Sequence, residues 1–326
     1  MAKIVILGSG GWGMALALSC YRGSHSVTLW TPFDEEREQL IKNRGNSKLL
    51  KGITLPDEIE ITSDISCCKD ALITVIATPS FAVCETAKRI AQIKKSGIIV
   101  NVAKGLERTT LLRLSQVINR ELPHSSAVVL SGPSHAEEVA RSIPTSLVAA
   151  STDPIAAQVV QQVMSNNTLR IYTNDDVAGV ELGGALKNVI AVAAGFCDGM
   201  GLGDNSKAAL ITRGAAEIAR IGICMGANKH TFAGLAGIGD LIVTCTSIHS
   251  RNHRFGELVG SGTDVKTALS MVGTVEGYYA TDLAFTLAKN YGIEMPITEQ
   301  CYNVLYGGSN VKDCVDALMC RPMAQE

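Results

Sequence analysis

Aromatic side chains make up only 5% of the 326 residues and charged ones only 18%, against 46% hydrophobic. A core with so few rings must be built from Ala, Val, Ile, Leu and Gly. That composition fits a tightly packed α/β protein and excludes a disordered chain. The formal net charge of −2 gives no electrostatic case for nucleic acid or an anionic membrane. Local basic residues could still hold a small anion. The ten cysteines include no C-x-x-C pair, and several sit inside apolar runs. They read as reduced structural thiols rather than a disulfide or zinc framework. The opening "MAKIVILG" has too short an apolar run for a secretory signal. No apolar stretch approaches the ~20 residues of a membrane span. The expectation is a cytoplasmic protein without a membrane span.

What is present is an order of apolar runs. Up to about residue 175, "KIVILG", "HSVTLW", "ALITVIATP", "GIIVNVAKG", "SAVVLSGP" and "TSLVAAS" alternate with helix-like stretches such as Asp34–Asn43, Phe81–Ile93 and Thr109–Leu122. Thr109 and Thr110 stand where the last of these would be capped. The runs are apolar on both faces, as parallel strands are when helices cover each side. Repeated βα units predict a doubly wound parallel sheet over residues 1–176. Beyond it, helical periods at Val177–Phe196, Lys207–Met225, Arg251–Val259 and Gly277–Lys289 predict a mostly α-helical domain over residues 177–326. With no linker of low complexity, the two domains are expected to pack closely around a cleft.

In "ILGSGGWGMALAL", Gly8, Gly10 and Gly13 form G-x-G-x-x-G between the first strand and a helix. Glycines there permit a tight turn and let backbone approach a pyrophosphate at the helix N-terminus. Asp34 lies about twenty residues on, at the distance expected of a ribose-binding acid but beyond the apparent strand end. No arginine directly follows the second strand to hold a 2′-phosphate, which favours NAD over NADP. At later strand ends, Lys104 would face the crevice where such sheets bind ligands. Ser250, Arg251 and Asn252 open a helix that suits a phosphate or carboxylate, although Ser250 also reads as a plain cap. Asp240 after its glycine turn reads equally as a cap. His249 and His253 have i,i+4 spacing without a third ligand, so no metal is expected. Lys187 is the misfit, an ammonium set among Gly, Ala, Val and Ile in "VELGGALKNVIAVAAG". A buried ammonium is costly unless it is used.

These stretches, with "VAKGLE", "SGPSHAEEV", "AGIGDLIVTCTSIHSRNHRFG", "EGYYATDLA" and "MPITEQCYNVLY", resemble bacterial-type NAD(P)-dependent glycerol-3-phosphate dehydrogenase from about residue 3 to residue 310. The resemblance implies a Rossmann domain, a helical domain and a homodimer. It implies Lys187 as the proton donor and acceptor at the C2 oxygen of a small phosphorylated substrate, in glycerophospholipid precursor supply. It marks Lys104, Gly132, Ser134, Asp240, Ser250, Arg251 and Asn252 as substrate contacts. Gly8, Gly10, Gly11, Trp12, Gly13, Lys104, Ala136, Arg251 and Glu276 are implied cofactor contacts. Thr31 and Pro32 stand where the family often has Arg or His. On this reading Gly183 and Gly184 leave open space above the Lys187 stem, which faces the cleft. Two rivals are a 3-hydroxyacid dehydrogenase-like reductase and a nucleotide-sensing regulator. The first would carry Asn four residues after the lysine, where this chain has Ala191. The second would need neither a proton donor nor a phosphate clamp.

Overall fold

The structure, a computed structural model, describes residues 1–323 and 325. The chain divides into two compact units, Met1–Glu181 and Leu182 onward.

The first unit carries one eight-stranded sheet: β1 (Lys3–Leu7), β2 (Ser26–Trp30), β3 (Glu60–Thr62), β4 (Ile73–Ile76), β5 (Gly97–Asn101), β6 (Ser125–Ser131), β7 (Thr145–Ala150) and β8 (Leu169–Asn174). Their order is β3-β2-β1-β4-β5-β6-β7-β8. Every described pair is parallel except β6 with β7, where Leu130 faces Ala149 in antiparallel register. The expected doubly wound parallel sheet is present with this one antiparallel pair, and β3 and β8 are strands that the apolar runs do not reveal.

Alternation along β1 builds two cores. Ile4 and Ile6 pack on one face with Met14, Leu16, Val27 and Leu29. Val5 and Leu7 pack on the other with Trp30, Val83, Ile90 and Ile118. Helices α1 (Gly11–Arg22), α2 (Asp34–Asn43), α3 (Val83–Ile93), α4 (Leu114–Glu121), α5 (Ala136–Ala140) and α6 (Pro154–Met164) complete this unit. Helix α4 starts at Leu114, not at Thr109. Leu111 takes a left-handed φ of 61°, and Glu107 N donates to Leu112 O, so residues 107–112 close as a loop.

The second unit is helical. Helix α7 (Val177–Gly199) contains the division between units and is followed by α8 (Asp204–Cys224), α9 (Asp240–Thr246), α10 (Arg251–Gly260), α11 (Val265–Val272), α12 (Glu276–Tyr291), α13 (Pro296–Leu305) and α14 (Val311–Met319). A wide π turn, Leu235–Gly239, leads into α9. By length and composition alone, α7 is long and apolar enough to cross a membrane. In the structure 94% of its most apolar window is buried in protein. All ten cysteines are free thiols, and burial pushes Cys20 and Cys245 up to about 12.

Helices α7 and α10 touch backbone to backbone. A Cβ on Gly195 would fall 2.1 Å from His253 O, and one on Gly256 would fall 2.1 Å from Val192 O. Only glycine permits that approach, which brings the start of α10 against the body of α7.

Candidate active site

The sheet order reverses between β1 and β4, the point at which doubly wound sheets bind ligands. Gly8, immediately after β1, has φ +124°, and a Cβ on it would lie 2.6 Å from Ala77 O at the end of β4. Gly13 must also be glycine, because its Cβ would sit 1.9 Å from Gly8 O. Gly10 differs: it is exposed, and nothing stands within 4 Å of its Cβ position. The open space lies at the N-terminus of α1, whose first turn holds no acidic residue and whose cap residue offers no side-chain acceptor. Free N–H groups and the helix dipole there suit a pyrophosphate, so the residues present fit a dinucleotide. Gly11 borders Ala136 at 3.7 Å from its Cβ position, and Trp12 packs half-buried on the adjacent core. Gly8 and Gly13 are buried and shape the turn, whereas Gly10, Gly11, Trp12 and Ala136 are at least partly exposed around it.

Past β2 the chain turns acidic. Asp34, Glu35 and Glu36 fill the first turn of α2, and Thr31 donates its hydroxyl to Glu36. Asp34 accepts from Ser63 Oγ at 2.7 Å and pairs with Arg37 at 2.9 Å, both through Oδ1, and its side chain is 72% exposed. Lys104, two residues past Val102, donates to Gly132 O at 2.9 Å and to Ser134 Oγ at 3.4 Å. Three predicted substrate contacts are thus joined in this unit. Gly132 has φ +131°, a backbone conformation that other residues rarely adopt.

In the helical unit Lys187 is buried, with 6% of its side chain exposed. Its ammonium donates to Asp240 and to Thr244 Oγ1. Asp240 and Thr244 are one turn apart on α9, so both point to one side of it. The approach depends on Gly183, whose Cβ would lie 2.5 Å from Ala236 O. The space above the lysine stem is therefore filled by the π turn, not open as the sequence suggests. An ammonium in an apolar helix is tolerated because a carboxylate and a hydroxyl meet it there.

Asn188 and Asn252 connect three helices. Asn252 Nδ2 donates to Asn188 Oδ1 at 2.9 Å, and Asn252 Oδ1 accepts from Gly277 N at 2.9 Å, beside Glu276 at the start of α12. Ser250 caps α10, its Oγ accepting from His253 N at 3.2 Å. Arg251 is exposed at the same helix start, and no hydrogen bond among the described residues joins it to the Lys187 group. His253 is paired with Asp198 at 2.7 Å.

Two family models cover nearly the whole chain. The model for the NAD-dependent glycerol-3-phosphate dehydrogenase N-terminus matches residues 3–157, and that for its C-terminus matches residues 176–316. The chain belongs to this dehydrogenase family. Relatives named glycerol-3-phosphate dehydrogenase, NAD(P)+, include one from Desulfitobacterium hafniense, 50% identical over all of this chain and 93% of its own length. One from Bacillus pumilus is 49% identical over all of this chain and 96% of its own length. Among solved structures, the glycerol-3-phosphate dehydrogenase of Coxiella burnetii superposes with a TM-score of 0.94 at 36% identity, covering 98% of this chain and 99% of its own.

The sequence singles out Lys187 and Asp240, which the structure joins, but not Thr244, Asp198 or the bonding of Asn188. The D-x-x-x-T spacing was the available signal for Thr244, since residues four apart share a helix face. Asp198 and His253 meet only through the helix crossing, which no spacing announces.

Proposed function

We propose that the protein interconverts dihydroxyacetone phosphate and sn-glycerol 3-phosphate, with Lys187 as the acid and base at the C2 oxygen. One observation carries the reading: a buried ammonium, held by Asp240 and Thr244, in a member of this family. When bound, the reduced nicotinamide supplies the hydride that C2 receives. Lys187 donates a hydrogen bond to the C2 oxygen, stabilises the charge that grows there, and passes its proton to it. Asp240 balances the lysine charge and fixes its direction, and Thr244 holds the ammonium from a second side.

Other roles are assigned residue by residue. Gly8, Gly10, Gly11, Trp12, Gly13 and Ala136 hold the dinucleotide, with Lys104, Arg251 and Glu276 as further cofactor contacts. Lys104, Gly132, Ser134, Asp240, Ser250, Arg251 and Asn252 contact the substrate, Arg251 taking its phosphate through a bidentate fork. The acidic start of α2 and the lack of an arginine directly after β2, where Thr31 and Pro32 stand, favour NAD over NADP. The family likeness supports a cytoplasmic homodimer that supplies glycerophospholipid precursors.

Loss of NADH absorbance on adding dihydroxyacetone phosphate tests the reading. Turnover is expected with that substrate and far less with unphosphorylated dihydroxyacetone. No turnover with either would overturn it.

A further inference from the structure

We propose that His253 is a positioning residue for phosphate recognition, acting through the rotation of α10 about its own axis. The inference rests on the assignment of the phosphate to Arg251. The glycine contacts between α7 and α10 set how near the two helices lie. Gly256 fixes the face that the body of α10 turns to α7, and the first turn, N-terminal to it, takes a further anchor. Two polar links supply it at the first turn. Asn252 bonds Asn188 in the middle of α7, and His253 Nε2 bonds Asp198 Oδ2 at 2.7 Å near its end.

Asp198 is itself fixed, because Lys207 on α8 holds its other oxygen at 2.7 Å. Residues two apart on a helix point roughly 200° apart. With His253 turned onto α7, its side chain only 13% exposed, Arg251 is driven outward to solvent, where it is found. The histidine anchors one side of the turn so that the arginine is presented on the other. A small rotation would misdirect a bidentate fork, which demands a fixed plane.

The test compares variants on dihydroxyacetone phosphate and on dihydroxyacetone. His253→Ala should raise KM for the phosphorylated substrate about tenfold with kcat within about twofold, and leave kcat/KM for the other unchanged. Asp198→Ala should do the same, and the double variant should be no worse than either alone, because both remove one link. His253→Arg, a planar donor able to reach Asp198, should restore KM. If His253→Ala does not fold, His253→Leu, which keeps side-chain volume and cannot hydrogen-bond Asp198, gives the same comparison. Equal losses on both substrates, no loss on the phosphorylated one, or additive effects in the double variant would overturn the inference. Arg251→Ala is the control. If it fails to discriminate the substrates, the phosphate assignment falls; if it discriminates and His253→Ala does not, only this inference falls.

Discussion

At position 187 a cation stands in a helix wall of Gly, Ala, Val and Ile, and its partner decides what removing it does. Seen as facing an open cleft, the ammonium could be deleted without loss of stability. With Asp240 only 1% exposed beside it, Lys187→Met leaves a buried carboxylate without its cation. Breaking such a pair from one side costs about 3–5 kcal/mol. Replacing both partners by apolar groups is often neutral or stabilising. Urea unfolding should therefore show Lys187→Met destabilised and Lys187→Met/Asp240→Leu recovering most of the loss. A single variant as stable as the wild type would mean that the pair does not hold α9 to α7. The lysine was legible because an ammonium in an apolar helix violates composition. Thr244 was not, because a threonine on a mixed helix violates nothing.

Among the elements, the glycines separate function from packing. Gly10 has an extended backbone, φ −63° and ψ 171°, and empty space at its Cβ position. Gly10→Val should keep its melting temperature and lose NADH binding, read by fluorescence titration. Unchanged affinity would remove this turn from the cofactor site. Gly195 has no such room. Its Cβ would press on His253 O and Glu257 N, so Gly195→Ala should destabilise by roughly 1–3 kcal/mol or more, as overpacking does. Calorimetry showing an unaltered transition would contradict the contact. Central strands were legible because burial on both faces makes them continuously apolar. The edge strands were not: β3 has three residues, and β8 alternates buried and exposed along LRIY. The reversal of β7 depends on the path of its connection, which composition does not encode.

For the molecule as a whole, acid should be destabilising. Hydroxyl hydrogen bonds from Ser66, Thr110, Ser126 and Thr267 hold Asp64, Glu107, Asp153 and Asp264 below the usual carboxylate range. Burial alone would raise Asp198, but Lys207 and His253 bring it down. Burial raises Glu181 and Glu217 against the donors around them. A lowered carboxyl contributes stability that is full above its unfolded value and lost as pH falls through its folded value. Asp153, whose carboxylate accepts from Ser126 Oγ at 2.6 Å and caps α6, isolates the effect. The advantage of wild type over Asp153→Asn should be full above about pH 4 and shrink as pH falls further. Chemical unfolding at a series of pH values checks it, and an advantage that grows on acidification would contradict the sign.

The central claim is that the buried ammonium does the proton chemistry, and turnover of purified, folded Lys187→Met with NADH and dihydroxyacetone phosphate tests it most directly. The rate should fall by about 10²–10⁴, the usual worth of a positioned proton donor, while NADH affinity stays within about twofold of wild type. Turnover near the wild-type rate in that variant would leave Lys187 as a packing residue and the proposed reaction without its acid.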